Sequence, residues 1–397
     1  MGTFNSLRVK ILLFNFISFI IIFIVISNCQ KAPKPVEGEM EIGKINELIS
    51  TLKGRVNCLT LSKNNQVLVV SPEMGGRIIG ISTDGIEGKN LLWVNEEITS
   101  EDFFKADVPF INPGGHRSWI APEDAFYIDD DGNWFCPKVM DPGIYTVITS
   151  TNKSVTVSNK FTIKDKSKNE YNLQLKRDIS IADSPPVPAS ELPGEIKFVG
   201  YTVIHSLKNL SQKTIGKDIP FVGLWSLVQI SPSGTVIIPI NPPPEGKKAY
   251  QGYFEPILPE RINITDNIIS IKIDGKRREK IGISPESSKG CIAYLSVENN
   301  NEAVLFIKKF SVEPEGTYLD GPWNEKRENG DAVQIYNDDG NMGGFAEIEC
   351  HGPAKVLKPG EEETHAIDIY VFTGHLNNLK VIGSKIMGID FDKIQYF

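Results

Sequence analysis

Residues 112–123, NPGGHRSWIAPE, set an imidazole, a guanidinium, an indole and a carboxylate directly after a glycine pair. The glycines let the backbone approach a neighbour or a ligand closely. A sugar site needs this mixture, because aromatic faces stack on the apolar C–H face of a pyranose while Arg and carboxylate groups hydrogen-bond its hydroxyls. Arg117, Trp119 and Glu123 are therefore candidate ligand-binding residues. The same residues also fit a structural turn with Trp119 in the core, Arg117 paired to Glu123 and His116 solvated. Residues 344–353, GFAEIECHGP, put Glu347 and Glu349 on one face if the segment is a strand, with Phe345 beside them. Two adjacent carboxylates push one pKa up, as a general acid or base near neutrality requires. An edge strand facing solvent is the plainer alternative. In residues 201–210 and 221–229, His205 alternates with Val203 and Leu207 and Trp225 adds an indole, so His205 is either a core histidine or a ligand-facing one.

No cofactor or metal is expected. GxGxxG between strand and helix, GxxxxGK[ST], GxSxG, HExxH and paired CxxC are all missing from the sequence. The aspartates at 129–131 and 338–339 read as hairpin tips, since no loop of spaced oxygen ligands follows them. Cys58, Cys136, Cys291 and Cys350 lack metal spacing and read as buried free thiols, with or without one bridge.

The elements that must position these groups are strands. Ile42, Ile45, Leu48, Ile49 and Leu52 recur at helical spacing and predict one short amphipathic helix over residues 41–52. After Arg55 the chain turns to short runs rich in Val, Ile, Phe and Tyr, among them residues 66–71, 77–82, 154–164, 223–230 and 366–372. With 34 glycines and 25 prolines to punctuate them, and no long helix evident after Leu52, the fold class is all-β. The proline-rich passages 183–193 and 241–245 mark either domain boundaries or long loops. Loops are preferred, which leaves residues 41–397 as a single domain.

At the N-terminus, Arg8 and Lys10 precede an apolar run over residues 11–26, shorter than the ~20 residues a spanning helix needs. The run closes at Ile26-Ser27-Asn28-Cys29, which resembles a bacterial lipobox, with Asn28 in place of the usual small residue. Residues 1–28 then form a lipoprotein signal peptide, Cys29 carries the lipid and residues 29–40 are a tether, placing the chain in the bacterial cell envelope on a membrane anchor. An uncleaved anchor and ordinary cleavage are the alternatives. The net charge of −8 excludes a sequence-independent nucleic-acid binder, which needs a basic face.

The order of segments resembles the galactose mutarotase-like superfamily, specifically its uncharacterised mutarotase-related branch, over about residues 66 to 372. The resemblance rests on Gly75-Gly76-Arg77-Ile78 with Asn90-Leu91-Leu92-Trp93, on Gly114 to Trp119 with Ala121-Pro122-Glu123, on residues 203–209 and 223–231, and on residues 345–353 with the PGE turn at 359–361. It implies a β-supersandwich, a large antiparallel sandwich whose concave face binds saccharides. It also implies a glutamate base, matched by Glu349 or Glu347. The family's histidine is not matched, because Trp225 stands on the corresponding strand, so an imidazole acid must come from His205 or His116. Three readings follow: a membrane-tethered, monomeric carbohydrate-binding protein; a sugar-active enzyme of the aldose 1-epimerase type; or a non-catalytic surface structural protein.

Overall fold

Short β-branched runs separated by glycine, proline and asparagine favour pleated, half-buried strands over helices. The computed structural model describes residues 43–323 and 329–397, so the expected signal peptide, Cys29 and the tether lie outside the described residues. Among the described residues the strands form two large sheets in which every pairing between neighbours is antiparallel. The nine-stranded sheet runs Leu59–Lys63, Gln66–Ser71, Arg77–Ser82, His116–Ala121, Gly223–Ile230, Ala346–His351, Val333–Asn337, Glu279–Ile283, Gln251–Gly252. The ten-stranded sheet is centred on the long strands Glu302–Phe310, Glu362–His375, Ile196–Asn209 and Glu170–Ile181.

The two sheets share one apolar interior, in which Ile78, Ile120, Val228 and Ile348 from the first meet Leu175, Val203, Ile369 and Val371 from the second. Each outer face carries a helix. Helix Ile45–Leu52 lays Ile45, Leu48 and Leu52 on Val67, Val69 and Ile79 of the nine-stranded sheet. Helix Leu376–Met387 lays Leu379 and Ile382 on Leu305, Ile307 and Phe372 of the other. This second helix departs from the sequence expectation. Gly383 interrupts its periodicity, and the reason is packing: a Cβ there would strike the Phe391 ring. The strand His116–Ala121 also departs from it, since the sequence offered these residues as a site or a structural turn and not as a strand. The proline-rich passages are loops, and none of the four cysteines is paired.

The glycine pair is used for backbone approach to backbone. At φ of +101° and +81°, Gly114 and Gly115 bring the chain onto the carbonyls of Trp93 and Ile78, where a Cβ would collide. Arg77, fully buried, anchors this crossing. It donates to the carbonyls of Met74 at 2.6 Å and Gly114 at 2.7 Å and to Asp141 Oδ2 at 2.5 Å. The same Asp141 oxygen accepts from Trp119 Nε1 at 2.9 Å. Removing one partner of a buried ion pair strands the other charge, at about 3–5 kcal/mol. Asp141→Ala is expected to lower the unfolding free energy by about that amount in urea titration, and Asp141→Asn, which keeps an oxygen for Trp119, by less.

Candidate functional site

Alternation along the strand His116–Ala121 divides its side chains between two environments. His116 and Ser118 point inward, between the sheets. His116 bonds Ser226 Oγ at 2.9 Å and Tyr201 Oη at 3.3 Å, and Ser118 bonds His205 Nδ1. Burial, with the charges of Arg177 and Lys308 nearby, holds both imidazoles well below the usual histidine range, so they are neutral. Neither lines the cavity described below. The histidines expected to supply an acid are thus behind the sheet, with the strand between them and the carboxylates, because the period of two gives the outward positions to Arg117 and Trp119.

The outward set is ordered by strand register. Trp119 faces Trp225, which faces His351, and Arg117 faces Leu227, which faces Glu349, which faces Gln334. One step along, Glu347 faces Tyr336 and Tyr336 faces Lys280. Of these, Arg117, Trp119, Trp225, Leu227, Glu347, Tyr336 and Lys280 floor a cavity of about 570 Å³ walled by Phe110, Trp134, Tyr253 and Phe345, whereas Glu349, Gln334 and His351 are buried beside it and do not line it. Trp119 and Trp225 meet edge to face at 5.5 Å, and the Arg117 guanidinium lies 4.1 Å above the Trp119 ring. Arg117 Nη2 stands 2.7 Å from Glu347 Oε1, so its ion partner is Glu347 and not Glu123. Trp225 Nε1 donates to Glu349 Oε2 at 2.8 Å, Lys280 Nζ is 3.5 Å from the same oxygen, and Trp134 Nε1 donates to Glu123 at 2.9 Å.

Carboxylates outnumber cations on this face. Burial pushes Glu349 up to about 7, against the pull of Lys280 and with Glu347 and Glu123 adding to the rise. Glu123 is likewise pushed up to about 7, by loss of solvent first, with Lys280 opposing and Asp320 reinforcing. Burial lowers the Lys280 pKa, but Glu349, Glu123 and Asp320 outweigh it and the net direction is upward, so the ammonium stays charged. Among the described residues, several buried polar atoms on this face have no hydrogen-bond partner: Arg117 Nε and Nη1, which line the cavity, and Glu349 Oε1, Gln334 Oε1 and both ring nitrogens of His351, which do not. Buried polar groups are normally paired, so a cluster of exceptions on one face marks a place prepared for polar contacts.

The structure thus brings together Arg117, Trp119, Glu123, Trp225, Glu347 and Glu349, and sets His116 and His205 apart. Sequence reasoning missed Lys280 and His351. Lys280 sits in Glu279–Ile283, a run whose alternation puts the lysine on the floor side opposite Tyr336. His351 lies two residues beyond Glu349 and stacks on Trp225 at 5.2 Å, so the period of two that paired Glu347 with Glu349 extends to it.

Solved structures that resemble this one include two galactose mutarotase-like proteins. A galactose mutarotase-like protein from Lactobacillus casei has a TM-score of 0.47 at 10% identity, covering 79% of this chain and 100% of its own. Another from Clostridium acetobutylicum has a TM-score of 0.45 at 15% identity, covering 80% of this chain and 95% of its own. No curated protein matches the sequence. Residues 44–397 match the family described as "Family of unknown function (DUF6786)", and the chain belongs to that family.

Proposed function

We propose that the cavity on the nine-stranded sheet binds a saccharide, in a protein tethered to the bacterial cell envelope through Cys29. The observation that carries the binding claim is the convergence of indole and phenyl walls with the buried Arg117 guanidinium, whose Nε and Nη1 have no partner among the described residues, and with the Glu347 and Glu123 carboxyls on the same lining. A sugar ring, with apolar C–H faces and a rim of hydroxyls, is a ligand that satisfies both at once. The tether rests on the basic residues, the apolar run and Cys29 of the first 29 residues. Among the described residues no helix is long and apolar enough to cross a membrane.

A second reading, an enzyme acting on the sugar, is favoured by one feature. Glu123 and Glu349, two carboxyls near neutrality, flank the Lys280 ammonium, so one is able to hold a proton while the other accepts one. The acid in that reading is a carboxyl, with His116 and His205 remaining structural.

A glycan-array screen followed by titration calorimetry tests the main reading. Trp134→Ala is the informative wall variant, because Trp134 is half-buried, whereas Trp119 is also tied to Asp141. It is expected to weaken binding about fivefold to tenfold, and a screen with no bound saccharide rejects the claim. Glu349→Gln separates the readings. Recognition alone predicts binding retained within about threefold, the worth of one modest hydrogen bond, while catalysis predicts loss of turnover of the bound sugar followed by NMR.

The pH dependence has a fixed sign. A carboxyl raised to about 7 is protonated below that value and gains its full acceptor capacity above it. Affinity for a hydroxyl-donating ligand is therefore expected to rise between pH 6 and 8, and Glu123→Gln, at the raised carboxyl that lines the cavity, to flatten the profile. For the tether, Cys29→Ala is expected to move the protein from the detergent to the aqueous phase on Triton X-114 partitioning.

A further inference from the structure

The cavity continues outward from its charged floor to a mouth bordered by Phe254, Trp323 and Met342. These three are 36%, 47% and 37% exposed. Among the described residues, all the other exposed large hydrophobic side chains are Ile, Val or Leu, so the exposed aromatic surface gathers at this one opening. Leaving large aromatic faces in water forgoes the stabilisation of burying them, and such patches mark contact sites.

The mouth is continuous with the floor. Phe254 meets Tyr336 edge to face at 6.4 Å, and Tyr336 meets Phe345 at 5.8 Å, so a run of rings leads from solvent to the row holding Glu347. The Arg278 guanidinium lies 4.1 Å from the Phe254 ring centre, which holds that ring in place and sets N–H donors beside it. Size points the same way. Even at the ~30 Å³ that each molecule occupies in liquid water, a hexose of about twelve non-hydrogen atoms takes about 360 Å³. The cavity, with the faces at its mouth included, holds about 570 Å³, so one ring fits within it and a second lies partly outward over the open mouth. One ring leaves space beside it, and the space adjoins aromatic surface.

We propose that the cavity takes a saccharide of at least two linked rings, the first held at the floor by Arg117 and Glu347 and the next stacked on the Phe254 and Trp323 faces. This rests on the saccharide reading above and adds the length of the ligand and the place of its second ring. Phe254 and Trp323 then read the linkage, since only some linkages carry the second ring onto the platform while the first keeps its floor contacts.

The test titrates the full chain with two length series, glucose, cellobiose and cellotriose, and galactose, lactose and a β-galactosyl trisaccharide, together with phenyl β-glucoside. It is repeated on the double variant Phe254→Ala/Trp323→Ala. Expected is a gain of about fivefold or more from one ring to two in at least one series, one stacking contact's worth, and a variant in which the ratio of disaccharide to monosaccharide affinity falls to near one. Equal affinity for one ring and two, or a ratio unchanged in the variant, overturns the proposal while leaving saccharide binding intact. A phenyl glucoside bound as tightly as the best disaccharide overturns it too, because the mouth would then take an apolar aglycone. If none of the probes binds, the saccharide reading itself fails, and the proposal with it.

Discussion

The Asp141 carboxylate, taken out of water between Arg77 and Trp119, is the contact on which the site depends. A charge pair in that position is stable only when its remaining donors and acceptors are met. The Arg77 guanidinium meets its share by holding two carbonyls, one on either side of the glycine crossings. Asp141 leaves no room for a side chain at residue 75, which sits at φ +79° as glycine. Trp119, fixed by the same oxygen, carries the Arg117 guanidinium on its face, and Arg117 in turn fixes Glu347. A chain of contacts thus runs from one buried carboxylate to the acidic floor of the cavity, so the floor is positioned from below and not by surface loops.

The two faces of the central strands carry opposite imbalances of charge. Outward, Glu123, Glu347 and Glu349 gather around Lys280 and Arg117. Inward, Arg177 donates to the carbonyls of Gly76 and His116, and Lys308 donates to those of Ser226 and Ile348, both without a hydrogen-bonded carboxylate among the described residues. Burial lowers both cations' pKa values, Arg177 to about 10. Neutral His116 and His205 fit beside these cations because a protonated ring there would add a third and fourth positive charge in low dielectric. Their role is to satisfy hydroxyls across the interior.

The all-β architecture was legible because β-branched runs at strand length repeat along most of the chain, and the Glu347, Glu349 and Phe345 face followed from a period of two. Arg117, Trp119, Glu123 and Trp225 were legible as chemistry before they were legible as neighbours. What stayed hidden has specific causes. The glycine pair masked the strand that follows it, so its alternation was never applied, and His116 was kept with Arg117 when the pleat sends them to opposite sides. Lys280 was invisible because nothing local to residues 279–283 reveals that the strand pairs with Val333–Asn337. Helix Leu376–Met387 was hidden by a glycine whose reason, the Phe391 ring, is a tertiary contact.

The pleat of the strand His116–Ala121 bears on how this protein can diverge. Because inward and outward side chains alternate on one backbone, substitutions at 117 act on the cavity and those at 119 on both the cavity and the Asp141 anchor, while those at 116 and 118 disturb the packing and leave the cavity lining in place. Exchange of single residues, Trp119 apart, therefore reaches one side of the sheet at a time, but insertion or deletion of one residue does not, since it would transpose the two sets in a single step. Lineages that carry this fold are free to retune the cavity by substitution and are barred from doing so by changes of length within this strand.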